Sequence, residues 1–169
     1  MLRLDDFYRE GDDPALPRIN DDLVDWDAPE SSDLALACTT IERLCRTGSA
    51  DVPVYDIAAS ARTGHRMLEL GASRIFVAEG LFAPHVVEHC RRNGLLAAAI
   101  CVRHHRLATF ALRLVRDLRE HRKPPLVLMV RGWRLMRAEP AIVREAVAHG
   151  CRPMTPSNAE ALLRRLSTS

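Results

Sequence analysis

Apolar residues in this chain follow two different periods. Between Asp33 and Gly48, Leu34, Ala37, Ile41, Leu44 and Cys45 recur on one face of an amphipathic helix. Ser32 or Asp33 is placed to cap its start, the helix runs to about Arg46, and Gly48 stops it. Val52–Tyr55 is β-branched and aromatic and predicts a strand, with His65–Leu70 after Gly64 spaced to pair with it as a hairpin. Arg74–Gly80 is a continuous apolar run that closes on Glu79, the pattern of a strand buried on both faces of a parallel sheet. Pro84 opens a helix that Gly94 ends, and Ala97–Val102 reads as another buried strand. Helix is expected from about Leu107 to Glu120, where Lys123-Pro124-Pro125 breaks it. A second helical stretch runs from about Leu126 to His149 with an interruption at Pro140, and Ser157-Asn158-Ala159-Glu160 has the form of a capping box for the last helix. At the start, Met1–Leu4 is a strand stub, and residues 5–30, dense in Asp, Pro and Gly, read as a long loop.

Strands alternating with helices predict an α/β fold with a mostly parallel sheet. A length of 169 residues suits one domain with a real core. In such sheets, chemistry sits beyond the carboxyl ends of the strands. Two of the predicted strands end in acids, at Asp5 and at Glu79.

Charge divides the chain further. Residues 1–33 carry 11 acids and 3 bases, residues 34–100 carry 6 and 7, and residues 101–169 carry 5 and 14. An acidic first fifth and a basic last two-fifths suit a site where carboxylates meet a cationic cover, as metal–phosphate chemistry needs. No apolar run approaches the roughly 20 residues of a membrane span. No basic-then-apolar leader is visible, so a cytoplasmic location is expected. Five cysteines without a CxxC read as reduced thiols.

Five short motifs appear in order. They are Leu4-Asp5-Asp6-Phe7-Tyr8, Asp25-Trp26-Asp27-Ala28-Pro29, Val52-Pro53-Val54-Tyr55-Asp56, Ala78-Glu79-Gly80 and Arg113-Leu114-Val115-Arg116-Asp117. In this order and spacing the chain resembles the uridine kinase family of P-loop nucleoside kinases, relatives of phosphoribulokinase. That family shows D-S-F-Y, F-D-H-P, P-V-Y-D, E-G and R-x-x-R-D at the corresponding places. The resemblance runs from residue 1 to about residue 123. It implies a P-loop kinase-like sheet flanked by helices, an ATP co-substrate with Mg²⁺, and transfer of the γ-phosphate to the 5′-hydroxyl of a nucleoside or similar small substrate. The family's G-x-x-x-x-G-K-[ST] does not occur among these residues, since Lys123 is the one lysine and Pro124 follows it. The expectation is therefore a chain that starts downstream of the family's first strand–loop–helix unit, a partial kinase-like domain with little activity by itself.

The resemblance assigns roles residue by residue. Asp5 matches the general base, beside the plainer reading of a loop-entry Asp. Tyr8, Trp26 and Tyr55 match substrate-contacting positions, with Trp26 replacing a Phe; plain packing is the alternative. Asp27 matches the acid that holds ribose hydroxyls. Arg62 matches a substrate-side Arg, whereas Ser60 stands where the family has its base-reading His and Ile57 where it has a Phe. Glu79 matches an acid near the magnesium, in contact directly or through water. Arg113 and Arg116 match lid arginines, and His121, Arg122 and Lys123 fall on further lid positions, which makes 113–125 the lid region.

Two motifs point elsewhere. His85-Val86-Val87-Glu88-His89 spells H-x-x-E-H, which a zinc hydrolase reading would use, with a third ligand still to find. A non-catalytic nucleoside- or nucleotide-binding role needs the same pocket without turnover. The basic last part lacks interleaved aromatics, so neither nucleic acid nor membrane is an expected partner, and homo-oligomerisation stays open.

Overall fold

The computed structural model of the chain describes residues 1–21, 23–103 and 140–167. The chain separates into two compact units, Met1–Ala97 and Ala98–Ser169.

In the first unit, β1 (Leu2–Arg3) runs straight into a 3-10 turn over Leu4–Phe7. A small antiparallel hairpin follows, β2 (Arg18–Asn20) with β3 (Leu23–Val24), inside the stretch expected to be loop. Its apolar residues Ile19 and Leu23 are exposed, so no buried face announces the hairpin in the sequence. Helix α1 (Leu34–Thr47) starts where expected, with the Asp33 carboxylate accepting from the Leu36 N–H at 3.0 Å. It stops at Gly48, whose φ of 76° lets its N–H turn back to the Leu44 carbonyl at 3.0 Å. β4 (Ser49–Asp56) and β5 (Ala61–Glu69) form the expected hairpin, in register from Ser49–Glu69 to Asp56–Ala61 with an irregularity between Val54 and Tyr55. β6 (Ala78–Glu79) pairs in parallel with β1, and α2 (Ala83–Arg92) follows.

The core of this unit is built from β1, the turn after it, α1, β4 and α2. Leu2, Leu4, Phe7, Ala37, Ile41, Leu44, Ala50, Val52, Val86 and Cys90 are buried together. Helix α1 inserts Ala37, Ile41 and Leu44 of the face that its periodicity defined, with Leu34 half-buried, whereas Cys45 is exposed and Thr40 takes a buried place; its stability comes from tertiary burial more than from local propensity.

The second unit holds β7 (Ile100–Val102), which pairs in parallel with β8 (Arg152–Met154). Residues 140–148 are helical (α3), and α4 (Pro156–Ser167) closes the described chain. The Cys151 N–H reaches back to the Ala146 carbonyl at 2.9 Å and the Gly150 N–H to Val147 at 2.9 Å, a closed helix end. The cap of α4 is Thr155, whose Oγ1 accepts from the Asn158 N–H at 3.4 Å, with Pro156 in the first helical position. Ser157 therefore lies inside the first turn, and Glu160 pairs with Arg164 at 2.7 Å rather than reaching back to a cap.

The fold is mixed α/β, as expected, but its sheets are smaller than the sequence suggests. The described strands form four two-stranded sheets, two parallel and two antiparallel, and the longest ladder is the antiparallel β4–β5 pair. Arg74–Val77 is not strand: Ile75 and Phe76 are half-buried and Val77 is 41% exposed. The reason lies in the partner. β1 is two residues long and coils at Leu4, so only Ala78–Glu79 has a ladder to join. The run 97–102 likewise shortens to Ile100–Val102. The helix expected over 107–120 and the part of the next one before residue 140 lie outside the described residues. No helix among the described residues is long and apolar enough to cross a membrane.

Truncating the fully buried Leu44 to Ala should cost roughly 2–5 kcal/mol of stability. The same change at Met67, 60% exposed on β5, should stay within about 0.5 kcal/mol. Urea unfolding midpoints of the two variants check this, and equal losses would contradict the core assignment.

Candidate functional site

The turn Leu4–Phe7 separates two adjacent carboxylates. Asp6 points inward, is 5% exposed, and has Oδ2 at 3.7 Å from Arg66 Nη2 on β5. Asp5 points the other way and is half-buried, with Oδ1 accepting the Leu81 N–H at 3.3 Å. One acid of the pair is thus used for structure and the other is presented at the strand end. The segment that meets Asp5 is the exit of β6, where Glu79 stands exposed opposite Arg3 in the parallel ladder.

Gly80 makes this approach possible. A Cβ on it would sit 2.7 Å from Asp5 Oδ1 and 3.0 Å from Leu4 Cβ, and its φ is 152°. Any side chain there would collide with the carboxylate and strain the backbone.

Beside Asp5, four aromatic rings meet at Tyr8. Trp26 and Phe82 approach it edge-on, with centroids at 5.7 and 5.8 Å, and Tyr55 lies tilted at 5.6 Å. Edge and tilted contacts of this kind are favourable beyond the area they bury. The Tyr8 hydroxyl donates to the Trp26 carbonyl at 3.4 Å, and the Tyr55 hydroxyl to the Arg9 carbonyl at 3.1 Å. Burial pushes the Tyr8 hydroxyl up to about 12, and the charges of Asp5, Asp27 and Tyr55 add to it. Tyr55 is raised as well, by burial and by Glu10, against a hydrogen bond from Ser60 and the charge of Arg62. Asp27 is exposed on a turn in which its N–H donates to Asp25 Oδ1 at 3.1 Å.

Arg62 turns inward as a strap. Its Nε donates to the Tyr8 carbonyl at 3.3 Å, its Nη2 lies 3.7 Å from Asp33 Oδ2 at the start of α1, and its own N–H donates to Glu10 Oε2 at 3.0 Å. It ties β5, the loop and α1 together around the rings.

The structure therefore brings Asp5, Tyr8, Trp26, Tyr55 and Arg62 to one place. Asp27 acts on Tyr8 through its charge, and Glu79 borders the site on β6. Arg113, Arg116, His121, Arg122 and Lys123 lie outside the described residues. Phe82, Glu10 and the Leu81 amide were not singled out in the sequence. Phe82 had one signal, an aromatic two residues before Pro84 in the turn that follows Glu79-Gly80. The H-x-x-E-H residues are drawn into other contacts. His89 Nε2 meets Glu42 Oε1 of α1 at 2.8 Å, Glu88 pairs with Arg91 and Arg92 at 2.7 and 3.2 Å, and His85 stands edge-on to Phe82 at 6.0 Å. The pairing of α1 with α2 takes up the motif's second His, and arginines one turn along α2 take up its Glu.

Two predictions follow from this geometry. Gly80→Ala should destabilise the chain more than Gly71→Ala, because Gly71 has no atom within 4 Å of an added Cβ while Gly80 has Asp5. Thermal unfolding of both variants checks the order. The chain holds two tyrosines, both raised, so an absorbance titration should show no tyrosine ionising at the ordinary value of 10.0. The folded form keeps the Tyr8 proton to higher pH than the unfolded form does. Its contribution is therefore complete below pH 10.0 and lost as pH rises toward about 12. A tyrosine that titrates normally in the folded protein would contradict the packing of the rings.

A family model described as phosphoribulokinase/uridine kinase family matches residues 1–123. The chain is also similar to the inorganic pyrophosphatase TTM2 of Arabidopsis thaliana, with 34% identity over 58 residues. That stretch is 34% of this chain and 9% of the relative, so the chain spans under a tenth of that protein's length. The matched family is one of kinase-type phosphotransferases, and its match covers the whole ring site, Asp5 and Glu79. The chain belongs to the phosphoribulokinase/uridine kinase family.

Proposed function

We propose that this chain forms the acceptor side of a uridine kinase-like phosphotransferase. Its reaction moves the γ-phosphate of ATP to the 5′-hydroxyl of a nucleoside or a similar small hydroxyl compound. The observation that carries the reading is Asp5, a half-buried carboxylate held at a strand end by the Leu81 amide, next to a set of partly exposed rings. A fixed carboxylate there can accept the hydroxyl proton while the rings and Asp27 orient the acceptor. Phosphoryl transfer asks the protein mostly for positioning and charge neutralisation.

The remaining roles rest on the family match. Residues 1–169 act as one partial nucleoside-kinase-like domain, of which the match covers 1–123, with 113–125 as its lid. Arg113 and Arg116, helped by His121, Arg122 and Lys123, balance charge on the transferring phosphoryl group. Glu79 is suited to Mg²⁺, since that ion keeps most of its waters and takes one or two carboxylates. Its exposed position beside the Asp5 turn leaves room for a hydrated ion. When bound, the ion would neutralise phosphate charge.

A second reading is nucleoside binding without turnover. It rests on the same rings and acid, whose geometry needs no phosphate in order to hold a nucleoside.

Calorimetry and a phosphotransfer assay with uridine, ATP and Mg²⁺ separate the two. Uridine should bind saturably to the 169-residue chain, and Asp27→Asn should weaken it by about tenfold, the worth of one good hydrogen bond to a charged group. In a form that also carries the family's phosphate-binding loop, Asp5→Asn should leave binding within about threefold and lower uridine phosphorylation by about 100-fold, the usual size of a general-base contribution. Saturable binding without phosphorylation in the loop-bearing form would select the second reading. Absence of nucleoside binding would reject both.

A further inference from the structure

The polar groups around the rings are committed to the protein itself. Both tyrosine hydroxyls donate to backbone carbonyls, Tyr8 to Trp26 and Tyr55 to Arg9. The Arg62 guanidinium is divided between the Tyr8 carbonyl and Asp33, and Glu10 accepts the Arg62 N–H at 3.0 Å. Ser60 is clamped. It adopts a φ of 50°, rare for a residue with a side chain, and its carbonyl accepts the Gly11 N–H at 2.8 Å. Gly11 is packed so closely on it that an added Cβ would lie 3.0 Å from Ser60 Cβ. Ile57, on the same turn, is 69% exposed and offers no hydrogen bond.

Among the described residues, ring faces and the acids Asp5, Asp27 and Glu79 are what the site has left to offer. Every base has a π-face, so stacking tolerates any of them. Using Arg62 or Glu10 on a base edge would first break a contact that holds the loop, and using the Ser60 side chain would first break its hydrogen bond to Tyr55. Leaving a polar group unpaired there would cost more than the new bond returns.

Resting on the nucleoside reading above, we infer that this site holds its acceptor by ring stacking and by the sugar hydroxyls, and does not read the hydrogen-bonding edge of the base. It is a base-indifferent nucleoside site. Purines, with the larger ring face, sit at the tight end of a narrow range.

The test is a binding panel on the unaltered 169-residue chain, measured by calorimetry with uridine, cytidine, adenosine and guanosine. All four dissociation constants should fall within about tenfold of one another, because stacking differs little between bases. A site that reads a base edge discriminates by far more, up to about 10⁴-fold. A preference above about 100-fold for one base would therefore overturn the inference and leave the nucleoside reading standing. Binding of none of the four would overturn both. Trp26→Ala should weaken all four by a similar factor of about ten, the loss of one stacking ring. A loss confined to one base would show edge recognition through this residue. The panel on the unaltered chain decides the question even where that variant does not fold.

Discussion

The two-residue parallel ladder between Leu2–Arg3 and Ala78–Glu79 joins parts of the chain that are far apart in sequence, and the site hangs from it. It begins where the Leu2 N–H meets the Val77 carbonyl at 2.8 Å. A pair of backbone bonds is worth only about 1 kcal/mol each in water. The ladder holds because Leu2, Leu4 and Phe7 are buried against α1 and β4 on one side of it. Past the ladder, both chains turn within one residue, and Asp5 arrives at the Leu81 amide over a glycine that leaves no room for a side chain. Core packing thus fixes the position of a carboxylate that has no place in the core.

The same economy appears around Tyr8. Its ring anchors three others, its carbonyl receives Arg62, and its hydroxyl is satisfied by Trp26. Acids lie near enough to oppose its ionisation. A half-buried aromatic floor bordered by carboxylates favours flat, hydroxyl-bearing ligands and disfavours anions. That suits the acceptor half proposed for a kinase site. The half that must hold a polyphosphate needs the opposite charge, and the sequence concentrates its arginines after residue 100.

Much of this was legible before any coordinates. Apolar periodicity placed α1 and its Gly48 stop, and β-branched runs placed the β4–β5 hairpin, because both elements bury one face. The five ordered motifs pointed to Asp5, Tyr8, Trp26 and Tyr55, and the structure brings these four together. What failed had physical causes. The run 74–80 looked like a doubly buried strand, yet its partner β1 is too short to pair with more than its end. The capping box at Ser157 lost to Thr155, because Pro156 takes the first helical position and fixes the cap one residue before it. Arg62 does reach the ring site, where it is tied to a carbonyl and an acid. No sequence pattern encodes such a choice. The placement of Phe82 depends on the turn at Gly80, which only the folded ladder creates.

Nuclear magnetic resonance mapping of a uridine titration tests the central claim most directly, because it reports where the acceptor sits without requiring turnover. The account predicts saturable shifts centred on the rings of Tyr8, Trp26 and Tyr55 and on the Leu81 amide, which reports on Asp5. Shifts that saturate while these four groups stay still would place the ligand elsewhere and contradict the account.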